Sequence, residues 1–128
     1  MAAVVHLDTH VIVWLFAGMK QRIPSNVADV LERNALAISP MVELELEFLH
    51  EIGRLKDPSG VVVRDLSNRI GLQVAAGSFG AVAGAATRFK WTRDPFDRMI
   101  VAHAEVQHAT LVTADVAIRR EYPRTLWT

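Results

Sequence analysis

Residues 2–19 read AAVVHLDTHVIVWLFAGM, and what happens on either side of Asp8 decides the fold. The run from Ala2 to Leu7 is short, rich in valine and almost wholly apolar, which predicts a strand buried on both faces. From Thr9 to Met19 the rhythm changes: Ile12, Leu15, Phe16 and Met19 recur at helical spacing. A buried strand thus hands over to a helix through a carboxylate. The same alternation continues along the chain. Pro24 and Ser25 open a helix over Asn26–Asn34, and Leu36–Ile38 is a second strand. Ser39 caps a helix that has Pro40 in its first turn, runs to about Ile52 and stops at Gly53. Lys56–Gly60 is a loop of turn-forming residues. Further helices are expected over Val61–Ile70, Phe79–Phe89 and from Asp94-Pro95 to His108. Strands are expected at Leu72–Ala75, Thr110–Thr113 and Thr125–Trp127. Apolar strands alternating with helices specify an α/β fold with a mainly parallel central sheet.

Composition narrows the function. The chain has 128 residues, which suits one domain over residues 1–128 with a core that needs no staples. With no cysteine, disulfides, thiolate zinc sites and a cysteine nucleophile are excluded, and a reducing, cytoplasmic setting is expected. Basic and acidic residues balance at 14 each, so any polyanion must be held by a local patch, not by a general basic coat. The opening apolar run meets His6 and Asp8 too soon for a signal peptide, and Val11–Ala17 is too short to cross a bilayer, so no membrane association is expected. The five histidines show no HExxH pattern, which argues against zinc ligation.

In parallel α/β sheets, ligands bind beyond the carboxyl ends of the strands. Asp8 follows the first strand, and Asp115 follows the run TLVTA, so two carboxylates are expected there. On the Ser39-capped helix, steps of about 100° per residue group Met41, Leu44, Phe48, Ile52 and Leu55 into an apolar stripe. Glu45 falls within that stripe, away from Glu43, Glu47, His50 and Glu51. A carboxylate placed so needs compensation, either from a cation or from an arginine at the stripe's edge. In RDPFDRMIVAHA (residues 93–104), Asp94 is a natural N-cap. Asp97 sits in the first turn, where capping electrostatics alone accounts for it, or else it turns toward the strand ends. Carboxylates that converge raise one another's pKa, and a hard divalent cation relieves the repulsion. Such a cation also activates water and neutralises a phosphodiester under attack.

VVHLDTHVIVWLF, ISPMVELELEFLHEIGRL, RDPFDRMIVAHA and TLVTAD, in this order from Val4 to Asp115, resemble the signature blocks of PIN-domain ribonucleases. The nearest likeness is to VapC-type toxins of type II toxin–antitoxin modules. The resemblance implies a PIN-like three-layer α/β/α sandwich and an endoribonuclease that uses Mg²⁺ or Mn²⁺. It also implies a homodimer and a VapB-like antitoxin whose tail covers the acidic groove. Carried over residue by residue, the family's metal-holding acids are Asp8, Glu45 (eight residues before Gly53), Asp97 and Asp115. A further acid found in some members would stand at Ala117 and is missing. The family's usual serine and tryptophan in the glutamate block are Val42 and Leu44 here. Thr9 and Thr113 are expected to hydrogen-bond a carboxylate or a metal-bound water, with helix capping the alternative for Thr9.

Basic residues bunch at Arg88, Lys90, Arg93 and Arg98 and again at Arg119, Arg120 and Arg124. Arg93, Arg98, Arg119 and Arg120 are candidates for RNA phosphate contacts, and Trp91 for base stacking, unless these residues form a solvated loop packed on the domain. Trp14, Phe16 and Met19 give the first helix more apolar surface than one stripe needs, for the core or for a partner. A phosphatase that uses a second acid two residues after the first is excluded by His10. The main alternative is a catalytically inactive PIN-like module that binds RNA or protein; a metal-dependent DNA or 5′-flap nuclease is a further one, though those are usually larger.

Overall fold

In the computed structural model, residues 3–128 are described. Ala2, where the sequence predicts the first strand to begin, lies outside them. Five strands form one sheet: β1 (Val4–Leu7), β2 (Ala35–Ile38), β3 (Gln73–Val74), β4 (Thr110–Val112) and β5 (Thr125–Leu126). Their order is β3-β2-β1-β4-β5, and every pairing is parallel. The helices are α1 (Thr9–Ala17), α2 (Ser25–Arg33), α3 (Pro40–Glu51), α4 (Ser59–Ile70), α5 (Phe79–Ala86), α6 (Pro95–Val106) and α7 (Val116–Glu121), with a 3-10 turn at Lys20–Arg22. The three-layer sandwich with a parallel sheet is therefore present.

Strand order carries the functional consequence. From β1 the chain steps outward through β2 to β3, then returns to the other side of β1 for β4 and β5. Right-handed crossovers send those two sets of connections over opposite faces. The carboxyl ends of β1 and β4 are therefore the topological switch point, the place at which such sheets bind ligands. The β1–β4 register pairs Leu7 with Val112, and the Asp8 amide donates to the Val112 carbonyl at 3.0 Å. The residue after each strand is thus delivered to the same edge.

Local physics sets the boundaries. α1 ends at Ala17, short of Met19, because Gly18 adopts φ 70° and its amide caps the helix. β3 has only two residues, although the Ala75 amide extends its ladder with a 2.8 Å bond to the Ile38 carbonyl. The sequence pattern does not predict α7, since six residues are too few for periodicity to register; it starts on Asp115 and buries Ile118. Leu7, Ile12, Ile38, Leu46, Leu66, Ile100, Leu111 and Ile118 lie in the core. The small side chains of Ala85, Ala86 and Ala102, with Val82, form a second cluster where α5 meets α6.

α3 corrects an expectation. The stripe assigned to the core is largely outside: Leu44, Phe48 and Ile52 are 55%, 44% and 49% exposed. Val42 and Leu46, about 120° around the helix, are the buried positions instead. A helix apolar on two faces gives no rotational reference, so its sequence alone does not say which face turns inward. Glu45 consequently sits at the border of the buried face, half-buried, and not in the middle of an inward stripe.

Two buried histidines are structural. The His103 Nε2–H donates to the Ala76 carbonyl (2.9 Å), leaving Nδ1 to accept from the Ser39 hydroxyl at 3.2 Å. His6 packs edge-on against His103 at 5.4 Å and donates through Nε2 to the Gln107 Oε1 at 2.8 Å. These bonds tie β1, α6 and the segment after β3 together.

Candidate active site at the carboxyl edge of the sheet

Asp8 and Asp115 arrive at the switch point as helix N-caps. Asp8 is 4% exposed and accepts from the Thr9 amide (2.8 Å) through Oδ1 and from the Thr113 hydroxyl (2.6 Å) through Oδ2. Thr113 is fully buried, and its oxygen also accepts from the Asp115 amide at 3.0 Å. One hydroxyl therefore joins the two strand-tip acids. Asp115 Oδ1 accepts from the Ile118 amide at 2.9 Å. The Thr9 hydroxyl donates to Glu45 Oε1 at 2.5 Å, linking β1's exit to α3. Thr9 is the first residue of α1, but Asp8 is its N-cap, so the capping alternative for Thr9 does not hold.

Asp94 caps α6 by accepting from the Phe96 amide (2.8 Å) and the Asp97 amide (3.3 Å). That leaves Asp97 free of the capping duty. Its carboxyl pKa is pushed up to about 7, first by desolvation, then by the charges of Asp94, Asp8, Asp115 and Glu45. Burial likewise raises the Asp8 carboxyl, against the hydrogen bonds from Thr113 and Thr9. Glu45 is raised by burial first and by Asp8 and Asp94 as well, with the Thr9 hydrogen bond opposing. The four acids predicted from sequence thus act on one another, and none forms an ion pair among the described residues. Asp94 adds a fifth negative charge. The sequence pattern assigns it only the capping role, because a cap signature is silent about what else a carboxylate faces.

The acids are neighbours, but they do not form a closed cage. Among the described residues no three acidic, histidine or cysteine side chains are drawn together tightly enough to hold an ion ready-made. Both oxygens of Asp8 and one each of Glu45 and Asp115 accept from protein donors. The donor set still suits a hard cation. It is all carboxylate oxygen, it repels itself without a counter-charge, and Mg²⁺ keeps several waters and needs only one or two protein carboxylates.

The basic candidates divide. The Arg98 Nε donates to the Thr92 carbonyl at 2.8 Å and so braces the turn before Asp94. Arg120 lies 3.5 Å from Glu121, and Arg88 3.4 Å from Glu105. Arg124 donates to the His108 carbonyl at 2.8 Å. Arg93 and Arg119 make no ion pair among the described residues. Trp91 is half-buried against the core and beside Phe89. No helix is long and apolar enough to cross a membrane among the described residues.

Solved structures reproduce this architecture at low sequence identity. VapBC2 from Rickettsia felis, bound to a DNA fragment from its promoter, superposes with a TM-score of 0.70 at 21% identity, covering 98% of this chain and 99% of that one. VapBC-1 from nontypeable Haemophilus influenzae gives 0.65 at 19% identity, with 98% and 96% covered. A toxin–antitoxin complex from Klebsiella pneumoniae gives 0.64 at 17%, with 95% of each chain covered. These likenesses establish the fold. No curated protein sequence matches the chain. The sequence profile of the PIN domain matches residues 5–121, nearly the whole chain and every acid described above. The chain therefore belongs to the PIN domain family.

Proposed function

We propose that this protein is a metal-dependent endoribonuclease and the toxin component of a VapBC-type toxin–antitoxin pair. One observation carries the reading: carboxylates from the ends of β1 and β4 and from α3 and α6 influence one another at the switch point with no cationic side chain paired to them among the described residues. Asp8, Glu45, Asp97 and Asp115 would hold Mg²⁺ or Mn²⁺. When bound, the ion supplies charge neutralisation at the scissile phosphate and an activated water. Thr113 fixes Asp8 relative to Asp115, and Thr9 fixes Glu45. Asp97, with its pKa of about 7, is the group whose ionisation state is decided by whether a cation is present. Arg93 and Arg119 are free to meet RNA phosphates beside the acids, while Arg98 and Arg120 would do so from positions partly committed to the fold.

The toxin reading rests on the likeness to VapBC structures. A VapB-like antitoxin tail carrying arginines would neutralise the same acids that a cation neutralises. The outward apolar face of α3, with Leu44, Phe48 and Ile52 exposed and Phe48 against Phe96 at 5.9 Å, offers a surface for a homodimer. The test is cleavage of total RNA by the wild type and by Asp8→Ala, each with Mg²⁺ and with EDTA. Cleavage is expected only for the wild type with metal; equal activity in both proteins defeats the nuclease reading. Growth arrest on expression without a partner tests the toxin role separately.

A further inference from the structure

Two rings on α1 and one just beyond β5 form a row that the proposed chemistry leaves unused. His10, exposed, is the second residue of the helix and directly follows Thr9, whose hydroxyl holds Glu45. One turn on, Trp14 lies 6.1 Å from His10 between ring centroids, at an interplanar angle of 41°. Trp127, just beyond β5, lies 5.7 Å from Trp14 at 46°. The Arg22 guanidinium stands 5.5 Å from the Trp14 ring centre and makes no ion pair among the described residues. The Asn26 side-chain amide fixes the far end by donating to the Trp127 carbonyl at 3.0 Å.

Trp14 is the exception among its neighbours. Val11 and Ile12 are core residues, and Val13, Leu15 and Phe16 pack against that core, but Trp14 does not join it. Trp14 is a partly buried tryptophan outside the core, beside His10, beside Trp127 (itself packed against the core by part of its surface) and beside an arginine with no carboxylate partner; single-stranded nucleic acid uses such groups, ring faces for bases and a cation for phosphate. The row starts at the acids. His10 is close enough for its charge to bear on both Asp8 and Glu45.

We propose that His10, Trp14 and Trp127, with Arg22, form a stacking track for the single-stranded RNA segment next to the scissile phosphate, leading it away from the acids along α1. The inference rests on the ribonuclease reading for the identity of the strand. Trp14 also borders an apolar groove of about 560 Å³ with Leu15, Ile23, Ala28 and Leu31. The track differs from that groove in adjoining the acids.

The test is binding of a fluorescently labelled 12-nucleotide single-stranded RNA, followed by anisotropy in EDTA so that no cleavage is needed. Trp14→Ala is expected to weaken binding about tenfold, and Trp14→Phe, which keeps a ring face, to restore most of it. Binding of the same sequence as a duplex is expected to be unaffected. In Mg²⁺, Trp14→Ala should raise KM with kcat unchanged. Unaltered single-strand affinity in a folded Trp14→Ala protein overturns the track and leaves the ring to a protein partner. Failure of Phe to restore binding overturns it as well, since stacking would then not be the cause. Loss of cleavage in the wild type with the binding pattern intact would remove the nuclease reading and leave the track standing.

Discussion

Asp97→Asn should make the protein more stable and abolish its activity, and the structure sets the size of the gain. The Asp97 carboxyl is raised from an ordinary 3.8 to about 7. A shift of about three units corresponds to about 4 kcal/mol of penalty for the ionised form. The side chain is only half-buried, so solvent screening reduces this to about 2 kcal/mol. Losing a favourable charge in the first turn of α6 takes back about 0.5–1 kcal/mol. The net gain is about 1–1.5 kcal/mol, or about 5 °C in Tm for a domain of this size. The sign depends on pH. With its folded pKa above its unfolded one, the wild type binds more protons when native between about pH 4 and 7, so its stability falls as pH rises through that window. The advantage of the Asp97→Asn variant should be absent at about pH 3.5 and complete at about pH 8. Asp8 and Glu45, also raised, keep part of the slope in the variant. Thermal melts in EDTA across this range measure the difference. Added Mg²⁺ should raise the wild type more than the variant, because the ion relieves a repulsion that the variant has already lost in part. An Asp97→Asn protein no more stable than the wild type at the alkaline end of that range, without metal, would refute the idea that burial and the neighbouring acids penalise the ionised Asp97.

Thr113→Val keeps the shape of a fully buried side chain but removes the hydroxyl that donates to Asp8 and accepts from Asp115. A destabilisation of about 2 kcal/mol is expected by denaturant titration, with cleavage reduced by at least tenfold as Asp8 loses its fixed position. Tyr122→Phe removes the buried 2.8 Å hydrogen bond to the Ala109 carbonyl, far from the acids. It should cost about 1 kcal/mol in the same titration and leave kcat/KM unchanged.

The strand–helix alternation can be read from residue order because each device is local. A valine-rich run, a cap residue, a proline in a first turn and a glycine at a helix end act over a few positions. The acids at the tips of β1 and β4 follow from that alternation, since a parallel sheet points its carboxyl ends one way. α3 resists for a definite reason: with apolar residues on two faces, the rotation that buries Val42 and Leu46 is selected by what the helix packs against. Glu45 is singled out by a stripe that faces outward, and it reaches Thr9 because it borders the other face.

What the chain by itself determined was therefore the strands and the helices other than α7, the parallel sense of the sheet and the carboxylates that the strands deliver to one edge. Only the tertiary structure decided how those carboxylates stand toward one another. Strand order puts β1 beside β4, 105 residues apart at the Thr113–Asp8 bond. α6 brings in both Asp97 and Asp94. Shared burial raises the pKa of Asp97, Asp8 and Glu45, and hydrogen bonds from Thr113 and Thr9 set the positions of Asp8 and Glu45. Electrostatic coupling and desolvation depend on distance in space, and no local pattern of residues encodes that distance.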